Sequence, residues 1–185
     1  LELMDGEIQE MLQDEEMREQ FIERMIDQYN QQILWLAYTY VKDHALAEEI
    51  TQDVFLTCYH KIDTFRNDSS IQTWLYRITV NKCKDQLRKK KIRSFLTFEN
   101  HKQDNLAVEE NHPESITFQS MEDQVLSERV LALPTKFKEV IFMHYFEDMK
   151  IREIADVLSV KVNTVKTRLN RGRKMLKSMY EEESE

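Results

Sequence analysis

The sequence predicts an all-α protein, two small helical domains joined by a flexible acidic linker, with a helix-turn-helix in the second. Three observations carry that expectation. The 185-residue chain holds only two Gly and two Pro, too few to supply many sharp turns or hairpins. Its apolar residues recur at spacings of three and four, the period of one helix face. Charge is segregated along the chain. It is acidic up to Asp27, basic over 82–93 (KCKDQLRKKKIR), acidic over 99–114, basic over 161–177 and acidic at the end.

These shifts divide the chain into an acidic tail (1–19), a first helical domain (20–93), a linker (94–120), a second helical domain (121–180) and a short acidic tail (181–185). The linker SFLTFENHKQDNLAVEENHPESITFQS contains Pro113 and little helical periodicity, so it reads as a connection rather than a packed element.

In the first domain, FIERMIDQYNQQILWLAYTYVKD sets Phe21, Met25, Ile33, Leu34, Ala37 and Val41 on or near one face. The next helix, HALAEEITQDVFLTCYHKID, aligns Ala47, Ile50, Val54 and Cys58, with Glu48, Glu49, Gln52 and Asp53 facing outward. TFRNDSS then clusters turn-forming residues. The third helix, IQTWLYRITVNKCKDQLRKKK, carries Arg77, Asn81, Lys84, Arg88 and Lys91 at alternating spacings of four and three, one continuous ridge. Leu75, Tyr76, Ile78, Val80, Cys83 and Leu87 occupy most of the remaining girth. A merely solubilising face mixes in Glu for i,i+4 pairs. Here Asp85 is the lone acid, and the ridge points to nucleic acid.

The second domain runs through VLSERVLALPTKFKEVIFMHYF to IREIADVLS, a short helix with Ile151, Ile154, Ala155 and Leu158 inward. Val160 to Val162 separate it from a helix whose inner face is Val165, Leu169, Gly172 and Leu176. That is the pattern of a helix-turn-helix. Gly inside a helix costs about 1 kcal/mol against Ala, and its place on the inner stripe predicts a close approach to a neighbouring helix. Residues 161–177 hold seven Lys or Arg and no Asp or Glu, in a chain of net charge −8. Asn163, Thr167, Asn170, Arg171 and Lys174 point outward, flanked by Thr164, Lys166, Arg168 and Arg173. Asn and Arg can bond base edges in the major groove, while Lys and flanking Arg suit phosphates. A solvated lysine-rich face is the bland alternative. An apolar inner stripe, a short turn and an acid-free outer face coincide better with DNA contact.

Other classes are disfavoured. The start LELMDGEIQEML lacks the basic residues and cleavage site of a signal peptide, and no apolar run approaches a membrane span. Cys58 and Cys83 are isolated within apolar helical patterns, as expected of buried thiols in a reducing cytoplasm. The five His are scattered without metal-ligand spacing. With no Gly-rich phosphate loop and no nucleophile–base pairing, neither an enzyme nor a cofactor nor a small-molecule substrate is expected.

Three stretches, AEEITQDVF, TFRNDSSIQTWLYRITVNKCKDQLR and LPTKFKEVIFMHYFEDMKIREIADVLSVKVNTVKTRLNRGRKML, resemble bacterial RNA polymerase sigma factors of the extracytoplasmic-function (ECF) group, in the same order and over most of the chain. The resemblance implies a non-enzymatic subunit that binds core RNA polymerase, through the β′ coiled coil and the β subunit, and directs it to promoters. It places Glu49, Gln52, Asp53 and Phe55 in the segment that docks on polymerase. It places Phe65, Asn67, Asp68 and Trp74, with the Arg77–Lys91 ridge, where the −10 element is recognised and opened and an extruded base is held. It assigns Asn163, Thr164, Lys166, Thr167, Arg168, Asn170, Arg171 and Lys174 to the −35 element. It also implies a linker threading toward the polymerase active-site cleft, a cytoplasmic location, and an anti-sigma partner, often membrane-anchored, that sequesters the protein. The chain departs from the family's pattern at Ser159, where Gly is frequent, and at Lys150 and Lys161, where better N-caps are common.

The competing reading is a two-domain regulator, a helical sensing domain followed by a helix-turn-helix that binds operators as a dimer. It accounts for the second domain but not for the first basic ridge. The net negative charge also opposes tight DNA binding by the free chain, which suits a subunit that reads promoters within a larger assembly.

Overall fold

The computed structural model describes residues 14–65, 68–98 and 124–181. Among them are seven α-helices and no strand: α1 (Glu15–Val41), α2 (His44–Lys61), α3 (Ile71–Phe98), α4 (Gln124–Ala132), α5 (Thr135–Tyr145), α6 (Ile151–Leu158) and α7 (Val162–Glu181). A 3-10 turn at Ile62–Thr64 follows α2.

Local chemistry explains where these helices start and stop. α1 begins inside the segment read as a tail, because Asp14 accepts the N–H groups of Glu16 and Met17 at 2.9 and 3.5 Å. Glu15 and Glu16 then sit at the positive end of the helix. Lys42, in the left-handed region, ends α1, and Asp43 caps α2 by accepting from the Leu46 N–H at 3.0 Å. Before α3, Ser70 accepts from the Thr73 N–H at 3.2 Å, and α3 continues to Phe98, beyond the boundary expected at 93. Pro134, which lacks an N–H, separates α4 from α5. Lys150 offers no capping oxygen, but Glu153 accepts its N–H at 2.7 Å, the reciprocal half of a capping box. Ser159 closes α6 at φ 56, a conformation that Gly adopts without steric cost and Ser does not.

Helices α1, α2 and α3 pack as one group and α4 to α7 as a second. The first core includes Met25, Ile33, Ile50, Val54, Leu75 and Val80; the second includes Val130, Leu133, Val140, Ile154 and Val165. Cys58 and Cys83 are free and buried, and burial pushes both thiols up to about 12. A Cβ on Gly172 would lie 3.0 Å from Ile141 Cγ1 and 3.5 Å from Phe137 Cβ. α5 and α7 therefore meet at a separation that leaves little room for any side chain there.

The two groups also pack on each other, α3 against α6 and α1 against α5. Trp35 and Phe142, both fully buried, stack with centroids 4.2 Å apart. Phe146 extends the stack, 6.3 Å from Phe142. The Thr135 hydroxyl donates to the Thr39 carbonyl at 3.4 Å, and the Gln72 amide to the Glu147 carbonyl at 3.2 Å. This second contact explains why Trp35, Leu36, Ala37 and Tyr38 are all buried, which a helix with a single inward stripe would not show.

At that seam, burial raises the Glu147 carboxyl from its ordinary 4.5 to about 7. The Tyr76 hydroxyl and the Gln72 amide pull it back down, and neighbouring Asp148 adds to the rise. Tyr76 is completely buried, close to this carboxyl yet not aligned for a regular hydrogen bond. A carboxyl whose pKa is raised by packing weakens that packing once ionised. Stability is therefore greatest below the ordinary value and declines as pH rises toward about 7. Thermal unfolding of the wild type and Glu147→Gln should show it: the wild type's stability relative to the variant falls from about pH 4.5 to about pH 7 and levels off above. A pH-independent difference would mean that Glu147 does not titrate in the seam.

Candidate nucleic-acid interface

The α3 ridge lies on the surface as expected, with Asn81, Lys84, Arg88 and Lys91 exposed and Arg77 half-buried. Asp85, the lone acid, pairs with Arg88 at 3.0 Å. Lys82, off the ridge, pairs with Asp53 of α2 at 3.5 Å. Trp74 is half-buried and Asp68 exposed, while Asn67 lies outside the described residues. Phe65 requires a correction. Its ring is 7% exposed and packs at 5.5 Å from Trp74, so it supports Trp74 and presents no face to a base.

Glu49, Gln52 and Asp53 stand exposed on α2, but Phe55 is 6% exposed and belongs to the core. Leu56 points out in its place, 58% exposed beside the polar trio. The sequence signal for Leu56 was available: it falls off the Ala47–Ile50–Val54–Cys58 stripe, three residues after Asp53.

On α7 the inner residues Val165, Leu169 and Gly172 are buried, and Asn163, Lys166, Thr167, Asn170, Arg171 and Lys174 are exposed. Thr164 and Arg168 are half-buried. The Thr167 hydroxyl donates to the Asn163 carbonyl at 2.9 Å, leaving its methyl and oxygen lone pairs outward. Arg168 turns inward. Its guanidinium donates to Glu139 of α5 at 2.7 Å, and the Tyr40 hydroxyl of α1 donates to the other carboxylate oxygen. Glu139 is 5% exposed. Burial raises its pKa, while the Tyr40 hydrogen bond and the charges of Arg168 and Lys84 oppose the rise. Tyr40 is held well above its ordinary value by burial and by the Glu139 charge. The periodicity of α5 could not reveal this triad, because its partners lie on three separate helices.

Lys138 is another charge the sequence would place outside. It is 2% exposed, donates to the Leu131 carbonyl at 2.5 Å, and is lowered to about 8 by burial and by nearby Lys42. Between the first turn of α5 and α7 opens a cleft of ≈ 430 Å³, lined among others by Lys136, Asn163, Thr167 and Arg171. Among the described residues no cluster of His, Cys, Asp and Glu could hold a metal ion, and no helix is long and apolar enough to cross a membrane.

The chain matches two family models in this order: Sigma-70 region 2 over residues 25–92 and Sigma-70 region 4 over residues 123–176. It is 32% identical over 159 residues to the ECF RNA polymerase sigma factor SigW of Bacillus subtilis, covering 83% of this chain and 85% of the relative. To the RNA polymerase sigma factor SigV of the same organism it is 33% identical, covering 82% and 86%. Its fold is similar to the sigma factor RpoE in complex with the anti-sigma factor NepR from Bartonella quintana. There the TM-score is 0.65, with 20% identity over 86% of this chain and 96% of the other. CnrH in complex with the cytosolic domain of CnrY gives 0.61, with 18% identity over 96% and 97%.

Two arginines one turn apart on α7 thus differ in role. Arg168→Ala should cost about 3–5 kcal/mol, since it leaves the Glu139 carboxylate buried without its cation. Arg171→Ala, exposed, should stay within about 0.5 kcal/mol of wild type. Denaturant unfolding separates them; equal losses would refute the assignment.

Proposed function

The chain belongs to the ECF sigma factors, and from that premise we propose how its promoter-directing work divides between two surfaces. The observation that carries the reading is that residues matching region 2 and region 4 each present an exposed, cation-rich helix face, the α3 ridge and α7. In this reading Asp68, Trp74, Arg77, Asn81, Lys84, Arg88 and Lys91, with Asn67, meet the −10 element. Asn163, Thr164, Lys166, Thr167, Asn170, Arg171 and Lys174 meet the −35 element. Arg171 and Asn170 are the side chains suited to base edges, and the lysines to phosphates. Arg168 serves by holding α7 in place. Glu49, Gln52, Asp53 and exposed Leu56 form the polymerase-docking face on α2.

Sigma factors work with RNA polymerase, and a solved sigma factor with this fold, RpoE, is in complex with an anti-sigma factor. For this chain we assign docking to the β′ coiled coil, with further contact to the β subunit. An anti-sigma partner, membrane-anchored or not, fits a cytoplasmic protein whose two halves close on each other. No reaction is assigned to the chain itself, since sigma factors are not enzymes. The operator-binding regulator has no counterpart for residues 25–92, which match Sigma-70 region 2.

Closure has a geometric consequence. Elements named −10 and −35 lie about 25 base pairs apart, roughly 85 Å along B-DNA. With α3 packed on α6 the two faces cannot span that distance, so reading both elements requires the halves to separate on polymerase. Spin labels on exposed sites of α2 and α7 should report one short distance in the free protein and a distance longer by tens of Å in the holoenzyme, on the scale of the promoter spacing. An unchanged distance would rule out opening.

Promoter binding should likewise depend on core polymerase, because the acidic chain alone repels phosphates. Run-off transcription with core enzyme on a promoter library should yield discrete start sites, and Arg171→Ala should lose about 1–3 kcal/mol and relax preference within the −35 motif. Tight binding of the lone protein to a palindromic operator would instead favour the regulator.

A further inference from the structure

The cleft beside α7 borders the outward face that the sequence picked out and shares Asn163, Thr167 and Arg171 with it. It lies where the first turn of α5 approaches α7, and its walls come from both helices: Lys136 and Phe137 from α5, Asn163, Thr167, Arg168 and Arg171 from α7. Among the described residues no acidic side chain lines it. Lys136 is exposed, and its ammonium lies 5.0 Å from the centre of the Phe137 ring, a contact that steadies the side chain at the rim. Arg168 forms the back wall with its direction fixed by Glu139. Arg171, exposed, stands between the cleft and the base-reading face.

Cations from two helices converging on an open, acid-free hollow suit a compact anion better than a flat base edge. Lysine is a point charge on a flexible stem, apt for a phosphate and poor at discriminating bases. A hollow of ≈ 430 Å³ has ample room for a phosphodiester passing along the edge of a groove.

We propose that this cleft seats one backbone phosphate of the −35 DNA, with Lys136 of α5 as the cation that holds it. The proposal rests on the −35 reading of α7 and extends the contact to a helix outside the helix-turn-helix. Its physical role is positional. A phosphate held at the start of α5 adds an anchor beside α7 that carries no sequence information, so base preference stays with Asn170 and Arg171. Lys136 is a positioning residue, and its loss weakens all −35 sequences alike.

The test uses holoenzyme and a −35-dependent promoter. Lys136→Ala should lower the steepness of the salt dependence of binding by about one counterion and leave base preference intact. Replacing the phosphates flanking the −35 element one at a time with neutral methylphosphonates gives the sharper comparison. One position should weaken wild-type binding several-fold yet leave Lys136→Ala unchanged, and Lys136→Arg should restore sensitivity there. If Lys136→Ala keeps the wild-type salt slope and stays sensitive at every phosphate, or if it alters base preference, the proposal is overturned. A wild-type holoenzyme indifferent to the −35 sequence would instead remove the α7 reading on which the proposal stands.

Discussion

One buried carboxylate holds the arrangement together. Glu139 sits in the second turn of α5, and its two oxygens are taken by different helices: Arg168 of α7 on one side, Tyr40 of α1 on the other. The first bond ties α7 to α5 with Asn163, Thr167, Asn170 and Arg171 on the exposed face of α7. The second links that helix, through α5, to the region 2 half of the molecule. A charge taken this far from water is tolerated only while both partners remain. The orientation of the exposed α7 side chains therefore depends on a residue that is itself buried.

The apolar part of the seam has a different character. Trp35 stacked on Phe142, with Phe146 beyond, is a large and non-directional contact. Separating the halves uncovers these rings, and the cost must be offset by new contacts of comparable size. A large protein partner can supply them. A short DNA duplex, offered to a chain of net charge −8, cannot. In the proposed reading closure and acidity act in the same direction, both opposing DNA binding by the free protein.

Much of this was legible in the residues. The four-three spacing from Arg77 to Lys91 reported a surface ridge, and the Val165–Leu169–Gly172 stripe reported the inner face of α7, because each depends on the period of a single helix. What periodicity missed depends on pairs of helices distant in sequence. Phe65 and Phe55 were read as exposed from the motifs around them, yet both fill the first core. Arg168 was read as DNA-facing because its own helix leaves it on the flank; only the position of Glu139 on α5 turns it inward. Trp35 and Tyr40 face a second group of helices whose docking no local pattern announces. Buried Lys138 breaks the rule that lysines stay outside, and nothing in its neighbourhood of the sequence signals it. The poor N-cap at Lys150 was visible, and its compensation by Glu153 three residues on was visible too.

The two thiols bear on what the protein can sense. Cys58 and Cys83 are sealed in the first core, where burial pushes both thiols up to about 12 and disfavours the reactive thiolate at neutral pH. It is the thiolate that attacks a peroxide or a disulfide; a buried, protonated thiol does not. Neither thiol of the first core is therefore poised to register an oxidant while the fold is intact.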